Sequence, residues 1–253
     1  MLSPFIINLL FAHTLMFGVW VIYKYQKIPM IADVFWPIGI SCQGLIYCLM
    51  ANRYSPLLLL LFIWGFRLSS FLYQTRLKQK HQDPRYQAIA AKTEQQPEKT
   101  FFINFQIQAF LQFLLASVWF YIAKQETMVL MLTSSCVVIL GLGIEVLADK
   151  SLLSFKQMKM PGVCQQGLWQ YSRHPNYFGE LLIWFGFSLS ALNQNFGIFG
   201  LISPITLYLI MRLITGPLSE NLSLAHKGKL YQDYQANTPM IFPYKLFSCK
   251  RRK

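Results

Sequence analysis

The run Gly167-Leu168-Trp169-Gln170-Tyr171-Ser172-Arg173-His174-Pro175-Asn176-Tyr177-Phe178-Gly179-Glu180 joins a dense polar cluster to an apolar segment. Pro175 suits the first turn of a helix, because its missing N–H has no intrahelical partner there, and Ser172 or His174 can cap the helix start. Asn176 and Glu180 are four residues apart and therefore share a helix face. The run thus predicts a helix from Pro175 whose first turns carry an amide and a carboxylate.

The composition indicates a membrane protein. Hydrophobic residues make up 54% of the 253 residues and charged residues 13%, whereas an ordinary soluble domain carries about 25% charged residues. The net charge of +13 does not indicate a nucleic-acid partner, because the basic residues lie in short connections between apolar runs, as in membrane proteins. We therefore predict an all-α polytopic membrane bundle, with residues 1–253 forming a single domain.

Seven apolar runs are long enough to cross a membrane, some of them with help from tilt. They cover residues 4–23, 28–50, 57–73, 101–123, 127–147, 176–192 and 196–216. Nineteen of the 23 Lys and Arg residues fall in connections on one side of the predicted membrane, and only Arg53 and Lys124 fall in connections on the other. The excess of positive charge predicts a cytoplasmic C-terminus and, with seven spans, an N-terminus outside.

Ionisable residues inside these runs cost about 2.5–3.5 kcal/mol each, so each one requires an explanation. They are Asp33, Arg67, Glu145, Glu180 and Arg212. Asp33, in the second predicted helix, either pairs with Arg67 of the third or, shielded from water, keeps a proton that it can donate. The sequence leaves both interpretations open.

A second polar group lies at the cytoplasmic end of the fifth predicted helix. Glu145 and Asp149 are one turn apart, and we expect Lys156 in the connection that follows. These residues either form an ion-pair cluster or hold the polar end of a ligand.

The sequence predicts no metal site and no soluble nucleotide-binding domain. The four histidines, His13, His81, His174 and His226, are scattered singly, without the spacing of metal ligands. The five cysteines lack paired metal spacing, and the chain has no Gly-x-Gly-x-x-Gly, P-loop or Gly-x-Ser-x-Gly motif. Any nucleotide cofactor must therefore be held by the membrane domain itself.

The chain resembles the DUF1295 branch of the steroid 5-alpha-reductase-like superfamily over nearly its whole length. The residues that carry the resemblance are Asp33-x-x-Trp36, Arg67 with Arg76, Asp83-Pro-Arg85-Tyr86, Glu145-x-x-x-Asp149, the run 167–180, and Tyr231-x-x-Tyr234 with Thr238 and Phe242-Pro243. The central Ser-Arg-His-Pro-Asn-Tyr-Phe-Gly-Glu run is the most specific of these.

The resemblance implies a seven-helix membrane fold that binds NADPH from the cytoplasmic side, in a C-terminal part of about residues 127–247. It also implies reduction of a carbon–carbon double bond conjugated to a carbonyl in a lipophilic substrate, and it favours a bacterial inner membrane over an endoplasmic reticulum. By the same likeness, Asn176 contacts the nicotinamide end of the cofactor, while Asp149 and Lys156, the latter where an Arg is usual, hold its adenosine-phosphate portion. The other residues implied to line this pocket are Glu145, Arg173, His174, Tyr177 and Glu180.

The substrate half departs from the steroid enzymes. Those enzymes use a Glu and a Tyr to polarise the enone oxygen, and Trp64, three residues before Arg67, stands where that Tyr would be. Asp33 is the expected replacement for the Glu, and Tyr73 or Tyr47 is the expected hydroxyl donor. The residues expected to line the substrate pocket are Trp36, Trp64 and Arg67.

Two other functions stay open. Isoprenylcysteine carboxyl methyltransferases share an Arg-His-Pro-x-Tyr-x-Gly run before a helix, and residues 173–179 fit that pattern, which would make S-adenosylmethionine the cofactor. Asn176, Glu180 and the upstream Glu145-x-x-x-Asp149 favour the reductase. The third possibility is a non-catalytic lipid-binding or transport protein, although the sequence shows no inverted repeat.

Overall fold

The computed structural model describes residues 3–78, 84–91, 96–124, 127–158 and 161–244. Within these ranges the chain is helical, without a strand, which confirms the all-α prediction. The α-helices are α1 Pro4–Gln26, α2 Ile31–Met50, α3 Leu57–Leu72, α4 Pro84–Ala91, α5 Pro97–Ala116, α6 Trp119–Ile122, α7 Met128–Gln157, α8 Pro175–Ala191, α9 Ile202–Ile210, α10 Gly216–Lys227 and α11 Lys229–Asn237. The shorter helical turns are the π-helical Tyr73–Leu77 and Met211–Thr215 and the 3₁₀-helical Gly167–Gln170 and Gly197–Leu201.

Six helical stretches in the described part of the chain are long and apolar enough to cross a membrane. They are Pro4–Gln26, Ile31–Met50, Leu57–Leu77, Pro97–Ile122, Met128–Gln157 and Gly197–Lys227. This confirms a multi-pass membrane protein. The run predicted as a further span forms α8, whose 17 residues reach about 26 Å, slightly less than the roughly 30 Å hydrocarbon core. The seventh span and the orientation stay predictions.

Two predicted helix ends are too early. Helix α7 continues past residue 147 to Gln157, so the expectation that Lys156 lies in a connection is wrong. The apolar run ends at residue 147, but no strong helix breaker occurs before Pro161 and Gly162, so the backbone stays helical. The last span likewise continues through Met211–Thr215 and α10 to Lys227, well past residue 216.

The chain divides into two compact units. The first contains Met1–Thr133 and Phe187–Thr206, and the second contains Ser134–Gly186 and Leu207–Lys253. Each unit combines segments that are distant in the sequence. The predicted cofactor-binding part, residues 127–247, includes nearly all of the second unit, and the organisation as one domain stays a prediction.

In the first unit, aromatic and charged side chains hold α1 against α5. The ring of Tyr23 packs against that of Phe101, with centroids 4.8 Å apart. The Trp20 indole N–H donates to the backbone oxygen of Glu98 at 2.9 Å, and the Glu98 carboxylate pairs with Lys27 at 2.7 Å. The ion pair is partly exposed, so the apolar contacts supply most of the stabilisation.

Pro37 disturbs α2 just after the first turns of that helix. A proline has no N–H and crowds the carbonyl four residues before it, so the surrounding carbonyls need other donors. The Ser69 hydroxyl of α3 donates to the Val34 oxygen at 3.0 Å, and the Gln112 amide of α5 donates to the Trp36 oxygen at 3.2 Å. The turn that carries Asp33 and Trp36 is thereby fixed by two neighbouring helices.

Candidate cofactor site and candidate substrate residues

Small residues bring α7 and α8 into close backbone contact in the second unit. A Cβ atom added at Gly141 would lie 2.6 Å from the Gly179 oxygen, and one added at Gly179 would lie 2.7 Å from the Gly141 oxygen. A Cβ atom added at Gly186 would likewise lie close to Val138, 2.7 Å from its Cγ2 atom. Since later residues of α8 meet earlier residues of α7, the two helices are antiparallel. The start of α8 therefore lies beside the part of α7 that carries Asp149.

Asn176 and Asp149 meet at this position. The Asn176 Nδ2 atom donates to Oδ1 of Asp149 at 3.3 Å, and Asp149 is only 6% exposed. The Oδ1 atom of Asn176 is buried and accepts no hydrogen bond from the residues that the structure describes. Glu145, one turn earlier on α7, is 4% exposed. The structure thus brings together three of the predicted cofactor-binding residues in a buried region rich in acceptor oxygens.

The predicted residues Glu180, Tyr177 and Lys156 surround this region in different ways. Glu180 is buried, and its Oε1 atom accepts a hydrogen bond from the Trp184 indole at 3.0 Å. Tyr177 is half-buried and stacks on the His174 ring, with centroids 4.7 Å apart. Lys156 is exposed on α7, about 10.5 Å along the helix from Asp149. It is therefore a cation that a ligand phosphate can approach.

Arg173 and His174 are bound by Glu220, a buried residue of α10. The Glu220 Oε1 atom accepts from Arg173 Nε at 2.7 Å and lies 3.1 Å from His174 Nε2. Its Oε2 atom accepts from Arg173 Nη2 at 3.1 Å and from Gln235 Nε2 at 2.7 Å. The remaining guanidinium nitrogen, Nη1, donates to the backbone oxygens of Gln235 and Thr238 at 3.0 and 2.7 Å. All three nitrogens of Arg173 are thus engaged by protein acceptors, and its predicted contact with a cofactor stays a prediction.

The segment before α8 is also joined to the segment after α11. The backbone N–H groups of Arg173 and His174 donate to the oxygens of Pro239 and Met240 at 2.9 and 3.0 Å. The Ser172 hydroxyl accepts a hydrogen bond from the His174 N–H at 3.1 Å, just before the helix, whereas a capping side chain accepts from the second or third helical residue. The cap of α8 therefore stays a prediction.

The tail motif Tyr231-x-x-Tyr234 contributes to the same junction. The Tyr234 hydroxyl donates to the backbone oxygens of Trp169 and Ser172. Burial raises the pKa of Tyr231 to about 12 and also raises the pKa of Tyr234 well above its usual value. Both phenols therefore keep their protons at neutral pH, and Tyr234 acts as a permanent donor that anchors the tail.

In the first unit, Asp33 binds Arg76 and Tyr86. The Arg76 Nη1 atom donates to Oδ2 of Asp33 at 2.6 Å, and the Tyr86 hydroxyl donates to Oδ1 at 2.8 Å. Arg67, the partner considered from the sequence, has its guanidinium over the Phe71 ring, 5.3 Å from the centroid. Asp33 thus lies between a cation and a phenol, and Tyr86 is the hydroxyl that sequence reasoning did not select.

The side chains of the other predicted substrate residues are buried to different extents. Trp64 is fully buried and Trp36 is half-buried, whereas Tyr73 is 48% exposed on its π-helical turn. Tyr47 is buried, but it follows Asp33 by fourteen residues on α2, about 21 Å along the helix. Among the hydroxyl donors considered, Tyr47 therefore cannot act at Asp33, and the role of Tyr73 stays a prediction.

Glu220 and Tyr86 were both missed as site residues. Glu220 lies beyond the predicted end of the last span, at residue 216, and belongs to none of the motifs that carry the family resemblance. The signal in the sequence is the excess of basic residues, 23 against 10 acidic ones. Because cations outnumber carboxylates, each acidic residue is expected to form an ion pair. Tyr86 belongs to the Asp83-Pro-Arg85-Tyr86 motif, but hydropathy does not indicate that α4, which carries Tyr86, contacts α2.

Comparison with known proteins identifies one family. The family model described as "Protein of unknown function (DUF1295)" matches residues 19–238, which is most of the chain. No curated protein and no solved structure matches the chain.

Proposed function

The chain belongs to the DUF1295 family of helical membrane proteins, and from this premise we propose that it is an NADPH-dependent reductase. The proposed reaction reduces a carbon–carbon double bond conjugated to a carbonyl in a lipophilic substrate. A bound dihydronicotinamide supplies the hydride. The protein contributes the binding site, the orientation of the reactants and the proton.

The observation that carries the proposal is the buried Oδ1 atom of Asn176, which has no donor among the described residues. An unpaired buried acceptor costs about 1–3 kcal/mol, so a ligand that offers an N–H there is favoured. The carboxamide of nicotinamide offers such an N–H, and ribose hydroxyls are suitable donors for the carboxylate of Asp149. The exposed Lys156 on the same helix suits a phosphate.

For the proton, we propose the pair formed by Asp33 and Tyr86. The Tyr86 hydroxyl donates to Asp33 Oδ1 at 2.8 Å, and Tyr86 is 5% exposed, so this phenolic proton lies away from bulk water. Within the first unit, this pair is the candidate acid. Arg76 holds the Asp33 carboxylate in place at 2.6 Å.

Methyl transfer from S-adenosylmethionine is the second candidate. The buried carboxylate of Asp149 beside Asn176 also suits a cationic ligand, such as a sulfonium or ammonium group. The Arg-His-Pro-Asn-Tyr-Phe-Gly sequence before and within α8 also fits the pattern of the methyltransferases.

A turnover assay tests the proposed reaction. Purified protein in lipid nanodiscs is mixed with NADPH and a panel of lipophilic enones, and loss of the dihydronicotinamide absorbance is followed. We expect enone-dependent oxidation that is lost in Asn176→Ala and kept in Asn193→Ala, an exposed asparagine after α8. If no enone increases NADPH oxidation above the rate without enone, the reductase proposal is wrong for this substrate class.

A further inference from the structure

The carboxylate of Glu220 uses its full capacity as an acceptor within the protein. Its two oxygens receive four contacts, from Arg173 Nε and Nη2, His174 Nε2 and Gln235 Nε2, at 2.7 to 3.1 Å. A carboxylate offers about four lone-pair sites in total. Glu220 is also 7% exposed, so it has neither the free acceptors nor the access that contact with a ligand requires.

The groups that Glu220 holds directly precede the start of α8. His174 Nε2 must carry its hydrogen, because a carboxylate can only accept, and this fixes both the tautomer and the plane of the ring that stacks on Tyr177. Arg173 is fixed at the same time by both Glu220 oxygens. Pro175 and Asn176 follow without an intervening loop, so the position of Asn176 depends on these contacts.

We propose that Glu220 is a positioning residue for the cofactor site. It holds Arg173 and His174, and through them it sets the start of α8 so that the Asn176 amide meets Asp149 with its Oδ1 atom directed to the ligand. The inference rests on the proposed function for the effect on cofactor binding, whereas the effect of Glu220 on residues 173–178 can be measured without any cofactor.

Amide hydrogen exchange of the cofactor-free protein provides the first test. Glu220→Gln keeps the shape of the side chain but replaces one acceptor oxygen by an N–H₂ donor, which faces Arg173 together with either His174 or Gln235. We expect faster exchange at residues 173–178 in this variant. The matched control is Glu98→Gln, which makes the same chemical change in the ion-pair cluster of α1 and α5, and we expect it to leave exchange at residues 173–178 unchanged.

NADPH affinity provides the second test, at a temperature where thermal unfolding shows that every variant is folded. We expect Glu220→Gln to weaken NADPH binding by about ten- to a hundredfold, Glu220→Asp to restore part of the loss, and Glu98→Gln to bind as the wild type does. If Glu220 acts through Asn176, Glu220→Gln should add less than about twofold to the loss already caused by Asn176→Ala.

The outcomes separate the two proposals. Faster exchange at residues 173–178 without NADPH binding by the wild type supports the positioning role and refutes the proposed cofactor. Unchanged exchange in Glu220→Gln overturns the positioning role, whatever the protein binds. An equal loss of affinity with and without Asn176 also overturns it, because Glu220 would then act on the whole unit rather than through this residue.

Discussion

At the scale of single residues, Asp33 shows how the chain accommodates a charge in an apolar helix. Among the residues that the structure describes, its carboxylate accepts hydrogen bonds from the guanidinium of Arg76 and the phenol of Tyr86. The two donors come from different segments, so Asp33 connects α2 to the π-helical turn Tyr73–Leu77 and to α4. The same contacts that make the charge tolerable also place a phenolic hydroxyl against the carboxylate.

Two substitutions separate these contacts. Asp33→Asn removes the ion pair and leaves Arg76 facing a neutral amide, and we expect it to lower the free energy of unfolding by about 1.5–3 kcal/mol. Tyr86→Phe removes only the hydroxyl, and we expect a loss of about 1 kcal/mol. Thermal unfolding in detergent measures both. Equal stability of Asp33→Asn and the wild type would contradict the ion pair with Arg76.

Individual site residues could be predicted where the signal lay in the residue itself and its neighbours in the sequence. Asp149 and Asn176 were selected from charge, spacing and resemblance, and the structure places them together at 3.3 Å. The partners of Asp33 and of Arg173 could not be selected, because a donor and an acceptor that lie 43 or 47 residues apart leave no periodic signal in the sequence. Hydropathy identifies that a charge needs a partner but not which residue supplies it.

At the scale of helices, the cofactor site depends on the close approach of α7 and α8. Gly141 and Gly179 let the two backbones touch, in the way that small residues allow between membrane helices. The start of α8 at Pro175 followed from the sequence, because a proline at the first helical position is a local signal. The end of α7 did not follow from the sequence, because the helix continues beyond the end of its apolar run.

A pair of glycine substitutions tests the role of this contact. In Gly179→Ala the new methyl group would lie 2.7 Å from the backbone oxygen of Gly141, so the helices must separate, and we expect a loss of about 1–3 kcal/mol in stability. The matched control is Gly143→Ala on α7, where no atom lies within 4 Å of the added Cβ. We expect the control to be neutral or stabilising by up to about 1 kcal/mol.

Thermal unfolding of the two glycine variants is measured alongside NADPH affinity. We expect Gly179→Ala, and not Gly143→Ala, to lower both the thermal stability and the NADPH affinity. Equal behaviour of the two variants would show that the backbone contact does not determine the geometry of the site.

At the scale of the whole molecule, the number of membrane crossings determines on which sides the two termini lie. In the described part of the chain, six stretches satisfy the requirements of length and hydropathy, and α8 with 17 residues is shorter than these six. An odd number of crossings places the two termini on opposite sides of the membrane, and an even number places them on the same side. The Lys and Arg distribution predicts a cytoplasmic C-terminus, and the number of crossings then determines whether the N-terminus lies outside.

Cysteine labelling from outside the cell decides the topology. In a background that lacks the other cysteines, we expect a membrane-impermeant maleimide to label Ser3→Cys in intact cells and to label Cys249 only after permeabilisation, because the seven-span prediction places the N-terminus outside. Labelling of both positions in intact cells, or of neither, would show that the termini lie on one side and that the number of spans is even.

The measurement that tests the central claim most directly is equilibrium binding of NADPH and of S-adenosylmethionine to the purified protein in nanodiscs, with wild type, Asn176→Ala and Asn193→Ala side by side. The account predicts that the wild type and Asn193→Ala bind NADPH and not S-adenosylmethionine. It also predicts that Asn176→Ala binds NADPH at least about tenfold more weakly, since about 1.4 kcal/mol is lost with one buried hydrogen bond. Binding of S-adenosylmethionine in place of NADPH, or NADPH binding that does not depend on Asn176, would contradict it.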